Sequence, residues 1–520
     1  MIDTSLTSYP DFKKRVVWLI SIATLIRLFL ATQLELGNDE VYYWTYALYP
    51  DWSHFDHPPM VGIMTQIFSL NLFFKDDFFM RLGPIVLSAA STWIIFLLGK
   101  KIKNERTGLY AAFLFTGSIY CSIISGFSLT PDAPLVFFWL LAMNLLVDFL
   151  PVEDISLTQR KKILLFGLVA GLAMISKYQG AFLWIGVFAY CLFFNRKWFR
   201  EISFWLSGII SAIVLLPLVI WNLQNDFISF TFHTARVAPA WEIRFDYFLT
   251  EIFGQIAYNN PVNYILIVIA IIAIVKKKKF IDSNYSKVLL ALALPLWIVF
   301  TGFSVFRSTL PHWTAPAFIP LILLASAYWS DQSEKKFFWI KFPAYFLGGL
   351  LVIALWLINF SPLQLGKKSE VTNFGEDDFT QDLYGWDQVN SAFEKISQRE
   401  EQNGLMQKRS DIISYKWFPG AHIDFYVAQP NNRKLFMLGE MNDIHKYAWI
   451  NNYRGGLQKG KDYYLIQVSN VFKNNDPFQN YFEKIEPMDT VQIKRADKVM
   501  RYAFFYRLKN YNGTFVNPLP

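Results

Sequence analysis

Long apolar runs separated by short polar stretches dominate the first 360 residues of this chain of 520 residues. A run of about 17 to 25 apolar residues is long enough to cross the hydrocarbon core of a bilayer as an α-helix. The pattern predicts about eleven such helices, near residues 16–34, 79–99, 108–126, 133–150, 162–177, 179–194, 202–221, 255–275, 288–305, 312–329 and 338–360. We therefore expect an α-helical polytopic membrane domain over residues 1–360.

The pattern changes after residue 360, where short alternations of apolar and polar residues replace the long runs. Residues 462–468 and 501–507 are predicted strands, because alternation with a period of two is typical of a half-buried strand. Residues 386–398 have the spacing of an amphipathic helix. A segment of this length with both signals predicts one C-terminal soluble α/β domain over residues 361–520.

Lysine and arginine are distributed unequally between alternate loops of the predicted membrane domain. Twenty-one lie in one set of loops and only six in the opposite set. The richer set comprises residues 13–15, 100–106, 160–162, 196–200, 276–287 and 335–341. Loops rich in Lys and Arg stay on the cytoplasmic side. We therefore expect a multi-pass protein of the inner (plasma) membrane, with a cytoplasmic N-terminus and an extracytoplasmic C-terminal domain.

Composition agrees with a chain that has lipid as part of its solvent. Hydrophobic residues make up 53% and charged residues 17%, and the mean hydropathy is +0.26. The net charge of +8 would also suit a nucleic-acid-binding protein. The basic residues, however, lie in short clusters between apolar runs, where they act as orientation signals. The bilayer, and not nucleic acid, is the expected partner.

Chemically reactive side chains collect in the loops assigned to the outer side. The candidates are, in chain order, Asp39, Glu40, Tyr43, Asp56, His57, Asp132, Lys177, Tyr178, Arg307 and His312. Acids, bases and cations that converge on one membrane face favour a functional site.

Each candidate also has a structural explanation, which the sequence alone leaves open. Asp39 and Asp132 would both be explained as helix caps, since a carboxylate near a helix N-terminus is stabilising. Lys177 would be explained as a lysine that extends its charge to the interface. Arg307 and His312 would be explained as anchors of a tight turn.

Four motifs, in this order and on one side of the membrane, resemble glycosyltransferase family 39 and its relatives. These relatives are the protein O-mannosyltransferases and the bacterial aminoarabinose lipid A transferases, which have the GT-C fold. The motifs are Asp39-Glu40, Phe55-Asp-His-Pro-Pro59, Pro131-Asp-Ala-Pro134 and His312-Trp-Thr-Ala-Pro316. The resemblance covers roughly residues 15–330. The chain departs from the lipid A transferases at His57, where they usually have lysine before the two prolines.

The resemblance implies an enzyme that moves one sugar from a polyprenyl-phosphate carrier to an extracytoplasmic acceptor, which is lipid A, another glycan or a protein. Its catalytic residues would be three acids, with Asp39 accepting the acceptor proton: Asp39, Glu40 and Asp132. Cationic side chains would stabilise the donor phosphate as negative charge develops on it: Lys177, Arg307, His57 and His312. Substrate would also contact Tyr43, Asp56 and Tyr178.

The chemistry of this transfer predicts its stereochemistry and its cofactor requirement. Attack opposite the phosphate would invert the anomeric centre. A leaving phosphate held by side-chain cations needs no metal, and the sequence has no acidic cluster with convincing metal-ligand spacing. We therefore expect no metal and no other cofactor, with the lipid-linked sugar as donor substrate.

Three other classes of protein compete with this interpretation. A lipid-linked sugar transporter or flippase would place polar features near the bilayer midplane in two related halves. An O-antigen ligase or polymerase that uses the same carrier would be favoured by a very long outer loop rich in Arg and His. A receptor or scaffold would not need Asp39, Asp132 and Lys177 on one face. The sequence favours the transferase.

Overall fold

The computed structural model describes residues 11–237, 242–474 and 476–519. The chain forms two compact units. The first unit contains the residues up to Phe29 together with His57–Phe74 and Phe78–Leu350. The second unit contains Leu30–Asp56, Lys75–Asp77 and the residues from Leu351 onward.

The α-helices are, in chain order, α1 (Phe12–Ala31), α2 (Asn38–Leu48), α3 (Met60–Phe68), α4 (Asp77–Ile102), α5 (Glu105–Gly117), α6 (Asp132–Phe149), α7 (Leu157–Met174), α8 (Phe182–Phe193), α9 (Ile202–Gln224), α10 (Ile228–Val237), α11 (Phe245–Asn259), α12 (Pro261–Val275), α13 (Ser283–Phe303), α14 (Phe318–Trp329), α15 (Phe337–Asn359), α16 (Trp386–Gln402), α17 (Trp417–His422), α18 (Met441–Ile444), α19 (Tyr447–Tyr453) and α20 (Asp476–Gln479). The strands are β1 (Ile412–Ser414), β2 (Leu435–Met437), β3 (Tyr463–Val468), β4 (Phe482–Arg495) and β5 (Lys498–Tyr511).

Every predicted apolar run contains helix, although the helices differ in length. Within the described residues, five helices are long and apolar enough to cross a membrane, and a sixth span is possible if one bent pair counts as a single span. The five are α4, α6, α9, α13 and the segment Glu334–Asn359 that includes α15. The chain is therefore a multi-pass α-helical membrane protein, and the number of eleven spans stays a prediction.

The bent pair lies where a single helix was predicted over residues 255–275. Helices α11 and α12 meet there at an angle of 102°. At the joint, Asn260 has φ of +70°, a region that Asn tolerates better than most residues, and Pro261 suits the first position of a helix. The Asn260 side chain donates to the carbonyls of Gly117 and Pro343 at 3.1 and 3.2 Å. The single-helix prediction is wrong here because hydropathy records the length of an apolar run and not its direction.

Close helix packing in the first unit depends on small residues. A Cβ on Gly167 of α7 would clash with the backbone carbonyl of Ser207 on α9, so only glycine allows this approach. Ser211 of α9 donates to the Gly167 carbonyl at 2.5 Å. Such contacts are typical of helices that associate in lipid, where small side chains let backbones come together.

The second unit is built around a five-stranded mixed sheet in the order β2-β1-β3-β5-β4. Strand β1 runs parallel to β2 and β3, whereas β5 runs antiparallel to β3 and β4. Helix α16 and strands β3 and β5 confirm the three elements predicted from periodicity. All six residues of β3 are buried, because it is an interior strand of this sheet.

The first outer loop packs with C-terminal residues in the second unit, whereas the predicted boundary at residue 360 grouped it with the membrane helices. Eight consecutive residues of α2, from Glu40 to Ala47, are buried. The Trp44 ring lies 5.1 Å from the Phe425 ring, and Lys446 donates to the carbonyl of Thr45 at 3.0 Å. A helix that buries so many residues needs protein around it, and here the C-terminal residues supply that cover.

Candidate active site

A buried ion pair between Asp132 and Lys177 is the centre of the candidate site in the first unit. The Lys177 Nζ lies 2.7 Å from Asp132 Oδ2, and the two side chains are 3% and 4% exposed. The Tyr120 hydroxyl donates to Asp132 Oδ1 at 2.8 Å. Lys177 is therefore a buried cation with an anionic partner, and the interpretation as a lysine extending to the interface is wrong. Both carboxylate oxygens of Asp132 accept from side chains, which a purely capping role does not require.

Local backbone geometry aims these side chains at one another. Asp132 is the first residue of α6, and Tyr120 begins a π-helical turn, Tyr120–Ile124, in the preceding segment. Lys177 has extended backbone angles between the end of α7 and a 3-10 turn, Tyr178–Ala181. That turn folds tightly onto α7, since a Cβ on Gly180 would lie 2.5 Å from the Ala173 carbonyl carbon. A break between two helices thus places Lys177.

His312 is electrostatically coupled to this pair. It lies in a 3-10 turn, Pro311–Trp313, before the helix that begins at Phe318. Burial, with a smaller contribution from the Lys177 charge, lowers the pKa of His312 to about 4. The imidazole is therefore neutral near pH 7 and can donate or accept a hydrogen bond without adding charge.

Arg236 supplies a further cation that the sequence analysis did not select. Its guanidinium lies 5.3 Å from the ring centroids of both Phe232 and Trp313. Trp313 is adjacent to His312, and the Arg236 charge also contributes to the low pKa of that histidine. Lys177 and Arg236 therefore place two cations near His312, and cations suit an anionic ligand.

Glu251 fixes both ends of the segment that carries His312. This carboxylate is fully buried in α11. Its Oε2 accepts from the Thr309 hydroxyl at 2.7 Å, and its Oε1 accepts from the Thr314 hydroxyl at 3.2 Å. The Gln255 amide also donates to Oε1, at 2.8 Å. Sequence reasoning missed Glu251 because a single acid beside a predicted span has no distinctive spacing.

His57 and Tyr178 are both grouped around His233, which was not among the candidates selected from the sequence. The His57 and Tyr178 rings lie 5.7 and 5.1 Å from the His233 ring. Phe230, on the same helix α10, packs against Tyr178 at 5.8 Å. The spacing of His233 and Arg236 on one short helix was the available signal, but α10 lies outside the predicted spans.

Arg307 lies beside the end of α10. Its guanidinium donates to the Ala235 carbonyl at 2.7 Å, next to Arg236. It also lines a cavity of about 290 Å³ with Glu242, Arg244, Tyr247, Phe306 and Ser308. Arg307 therefore makes a structural contact with the end of α10, and its role in phosphate binding stays a prediction.

Asp39 and Glu40 lie in the first turn of α2, in the second unit, and have different environments. Asp39 is exposed, whereas Glu40 is buried. Glu40 accepts a hydrogen bond from the Gly37 N–H at 2.9 Å, and Asp382 accepts one from the Asn38 N–H at 3.1 Å. Asp382 thus satisfies the first N–H of α2, and Glu40 satisfies the N–H of the residue before it, so a capping role is not needed to explain Asp39.

Asp56 and Tyr43 belong to the aromatic packing of α2. Asp56 accepts hydrogen bonds from the hydroxyls of Tyr42 and Tyr46 at 2.7 and 2.5 Å. The Tyr43 ring lies 5.5 Å from each of these tyrosine rings. Asp56 therefore ties the end of the first outer loop to the helix that carries Asp39.

Within residues 11–237, 242–474 and 476–519, no group of three or more His, Cys, Asp or Glu side chains is arranged to hold a metal ion. Metal-independent transfer stays a prediction, because the arrangement of these side chains does not test it.

The fold of this chain is similar to that of a solved protein. ArnT from Cupriavidus metallidurans superimposes with a TM-score of 0.59 in the apo state and 0.60 with undecaprenyl phosphate bound. Each match has 13% identity and covers 94% of this chain and 97% of ArnT. At this identity the likeness shows that the chain shares the fold of ArnT, and no more.

Sequence comparison then indicates the relatives. The profile of the family described as dolichyl-phosphate-mannose-protein mannosyltransferase matches residues 56–221. The lipid A galacturonosyltransferase RgtD of Rhizobium johnstonii is 24% identical over 303 residues. That match covers 55% of this chain and 59% of the relative, so the chain spans less than two thirds of that protein's length.

Proposed function

We propose that this chain is a glycosyltransferase of the inner membrane that moves a single sugar from a polyprenyl-phosphate carrier to an extracytoplasmic acceptor. The observation that carries the proposal is the buried Asp132–Lys177 pair with Arg236 and neutral His312 beside it. Burying the charge of a lysine costs free energy unless an anion pairs with it. Asp132 supplies that anion, so that Lys177 can stay charged away from water and can interact with a phosphate. The undecaprenyl phosphate bound to ArnT supports a polyprenyl-phosphate donor.

The reaction requires one bond to form and one to break. The acceptor hydroxyl oxygen bonds to the anomeric carbon, while the bond from that carbon to the phosphate oxygen breaks and leaves its electron pair on the phosphate. Lys177, Arg307, His57 and His312 remain our candidates to stabilise this phosphate, and Arg236 joins them. Attack opposite the leaving group inverts the anomeric centre.

The proton of the acceptor hydroxyl goes to a carboxylate. Asp39 is our candidate, because it is an exposed acid in the first turn of a helix whose first N–H group bonds to a different carboxylate, that of Asp382. Glu40 and Asp132 have supporting roles, and Tyr43, Asp56 and Tyr178 are candidates for substrate contact. No step in this scheme requires a metal. Lipid A is one acceptor to test, since RgtD is named as a lipid A galacturonosyltransferase.

Purified protein in lipid vesicles, given a polyprenyl-phosphate sugar and a membrane acceptor extract, tests the proposal. We expect a new glycosidic product, and its loss by roughly 30-fold or more in Lys177→Ala, in line with one charge-assisted contact in the transition state. Lys177→Arg should keep part of the activity.

Lys101→Ala is the matched control. Lys101 also pairs with an aspartate, Asp148 at 2.9 Å, but in the loops predicted to face the cytoplasm, and this variant should keep its turnover. Movement of the donor across the vesicle membrane without a glycosidic product would instead favour a flippase. Equal turnover in Lys177→Ala and wild type would exclude Lys177 from the site.

A further inference from the structure

Two helix N-termini in the second unit are capped by carboxylates from each other's leading segments. Glu35, just before α2, accepts hydrogen bonds from the N–H groups of Trp386 and Asp387 at 2.9 and 3.0 Å. These are the first two residues of α16. In return, Asp382, just before α16, accepts from Asn38, the first residue of α2, at 3.1 Å. Each segment therefore satisfies N–H groups at the start of the other segment's helix.

The residues between these caps are also fixed by the second unit. The Leu36 N–H donates to the Tyr426 hydroxyl at 2.5 Å, and His422 Nε2 donates to the Leu36 carbonyl at 2.9 Å. The His422 ring stacks on the Trp386 ring at 4.3 Å. A Cβ on Gly37 would lie only 3.3 Å from Leu383. The segment leading into Asp39 is thus held through the Glu35 side chain and through the backbone of Leu36 and Asn38.

The opposing segment is equally well held. Arg501 of β5 is fully buried and donates to the carbonyls of Gln381 and Tyr384 at 3.0 and 2.9 Å. Its guanidinium lies 4.2 Å from the Trp386 ring centroid. The sheet therefore fixes Asp382 through Arg501, and Asp382 in turn fixes the first turn of α2.

We propose that Asp382 is a positioning residue for Asp39, and that the reciprocal caps are how the C-terminal residues act on sugar transfer. This inference rests on the proposed function, in which Asp39 accepts the acceptor proton. A general base must lie within hydrogen-bond reach of the proton that it removes, and a displacement of about 1 Å costs on the order of 100-fold in rate. Asp39 directly follows Asn38, whose N–H Asp382 holds.

Both capping carboxylates are buried and lie near other charged groups. Burial raises the pKa of Glu35 to about 7, and burial together with the Asp39 and Glu40 charges raises the pKa of Asp382 to about 7. The groups that face the two carboxylates are Asp39 and Glu40 from α2, Asp387 from α16, Arg501 from β5 and His422 from α17. Burial keeps His422 neutral by lowering its pKa to about 3.

Two substitutions at one position separate positioning from folding. Asp382→Asn keeps an oxygen that accepts the Asn38 N–H, whereas Asp382→Ala removes it. Turnover per folded molecule, at saturating donor, should fall by roughly 10-fold to 100-fold in Asp382→Ala and by less than about threefold in Asp382→Asn. The KM for the donor should not change in either variant, since the cap acts on the proton acceptor.

Asp411→Ala is the matched control, because Asp411 also accepts a backbone N–H within the second unit, from Lys434 at 2.9 Å. It should lower thermal stability and leave turnover per folded molecule unchanged. Wild-type turnover in folded Asp382→Ala would overturn the proposal. So would an equal loss in Asp382→Asn and Asp382→Ala, since that result would assign the effect to charge and not to the N–H bond.

A double variant separates this inference from the function on which it rests. If Asp382 acts through Asp39, Asp39→Asn/Asp382→Ala should be no slower than Asp39→Asn alone. Multiplied losses would show that Asp382 acts independently of Asp39 and would overturn the positioning role. An Asp39→Asn protein with wild-type turnover would contradict the proposed role of Asp39 itself.

Discussion

Carboxylates at helix N-termini have two different environments in this protein. Asp132, at the start of α6, is buried against the Lys177 ammonium at 2.7 Å. Glu35 and Asp382, which cap α16 and α2, accept hydrogen bonds from peptide N–H groups at 2.9 to 3.1 Å. The first carboxylate is neutralised by a full charge, whereas the other two are stabilised by dipoles alone at hydrogen-bond distance. The difference determines which change each region tolerates.

The loss of a charge should affect stability differently in an ion pair and in a helix cap. Removing one member of a buried pair leaves an uncompensated charge, which costs several kcal/mol. Neutralising a capping carboxylate leaves an oxygen that still accepts the N–H. The region around Lys177 should therefore be sensitive to any single substitution, and the caps should be sensitive mainly to truncation.

The largest expected effect is the loss of one member of the ion pair. Lys177→Met should destabilise the protein by about 3 to 5 kcal/mol, because Asp132 is left buried without its cation. Asp132→Leu/Lys177→Met should recover part of this loss. Thermal unfolding in detergent measures both. As a comparison, Lys101→Met should cost only about 0 to 1 kcal/mol, since the Lys101–Asp148 side chains are 30% and 24% exposed. Equal losses at the two lysines would contradict the contrast between them.

Asp39→Asn is expected to affect turnover and not stability. Asparagine keeps the size and hydrogen bonding of aspartate but lacks its basicity, so turnover should fall by roughly 100-fold or more. Asp39 is exposed, and other carboxylates cap its helix, so thermal stability should be unchanged. Transfer from a polyprenyl-phosphate sugar and thermal unfolding are measured on the same preparation. Turnover near the wild-type level would remove Asp39 from the chemistry.

Glu251 gives a smaller effect and shows whether a carboxylate bonded to neutral side chains tolerates substitution as a cap does. In Glu251→Gln the remaining oxygen can accept from one of the two threonine hydroxyls and the amide faces the other, whereas Glu251→Ala leaves Thr309 and Thr314 without that partner. We expect Glu251→Ala to cost about 1 to 3 kcal/mol of stability and Glu251→Gln to cost less. Thermal unfolding measures the difference. A larger loss in Glu251→Gln would show that the negative charge matters more than the hydrogen bonds.

The last expected effect is the pH dependence of the caps. The pKa values of Glu35 and Asp382, about 7 in the folded protein, lie above the value near 4 that an unfolded chain has. The folded state therefore binds more protons between these values, so both groups lose stabilisation as pH rises from about 4 to 7. The thermal stability of Glu35→Gln relative to that of wild type should therefore increase as the pH is raised from 5 to 8. A constant difference across this range would contradict the raised pKa.

The sequence predicted the elements more fully than their contacts. Apolar periodicity was sufficient for α6, β3 and β5, because the helix or strand conformation of each is favoured by residues close in sequence. Asp132 and Lys177 were both selected, yet with separate roles, since nothing in a linear pattern shows that residues 45 positions apart form one pair. Tyr120 was missed because an aromatic residue inside an apolar run usually packs in a core.

The reciprocal caps lie beyond the reach of pattern analysis for a similar reason. Glu35 and Trp386 are 351 positions apart, and a carboxylate in a loop has no periodicity that identifies its partner. The assignment of the first outer loop to the second unit depends on this pairing. A composition change at residue 360 marks where apolar runs stop, but it does not show which earlier loop packs with the residues that follow.

The bend between α11 and α12 has a consequence for the surrounding lipid. Two helices that meet at 102° cannot both run along the membrane normal. On α11, Phe245, Leu249 and Phe253 are 72%, 50% and 65% exposed, at helical spacing along one face. The opposite face buries Glu251, Gln255 and Asn259. An inward polar face and an outward apolar face reverse the pattern of a helix in water, and they are what a helix in contact with acyl chains requires. The same helix that holds the His312 segment through Glu251 is therefore exposed to changes in bilayer thickness and lipid packing.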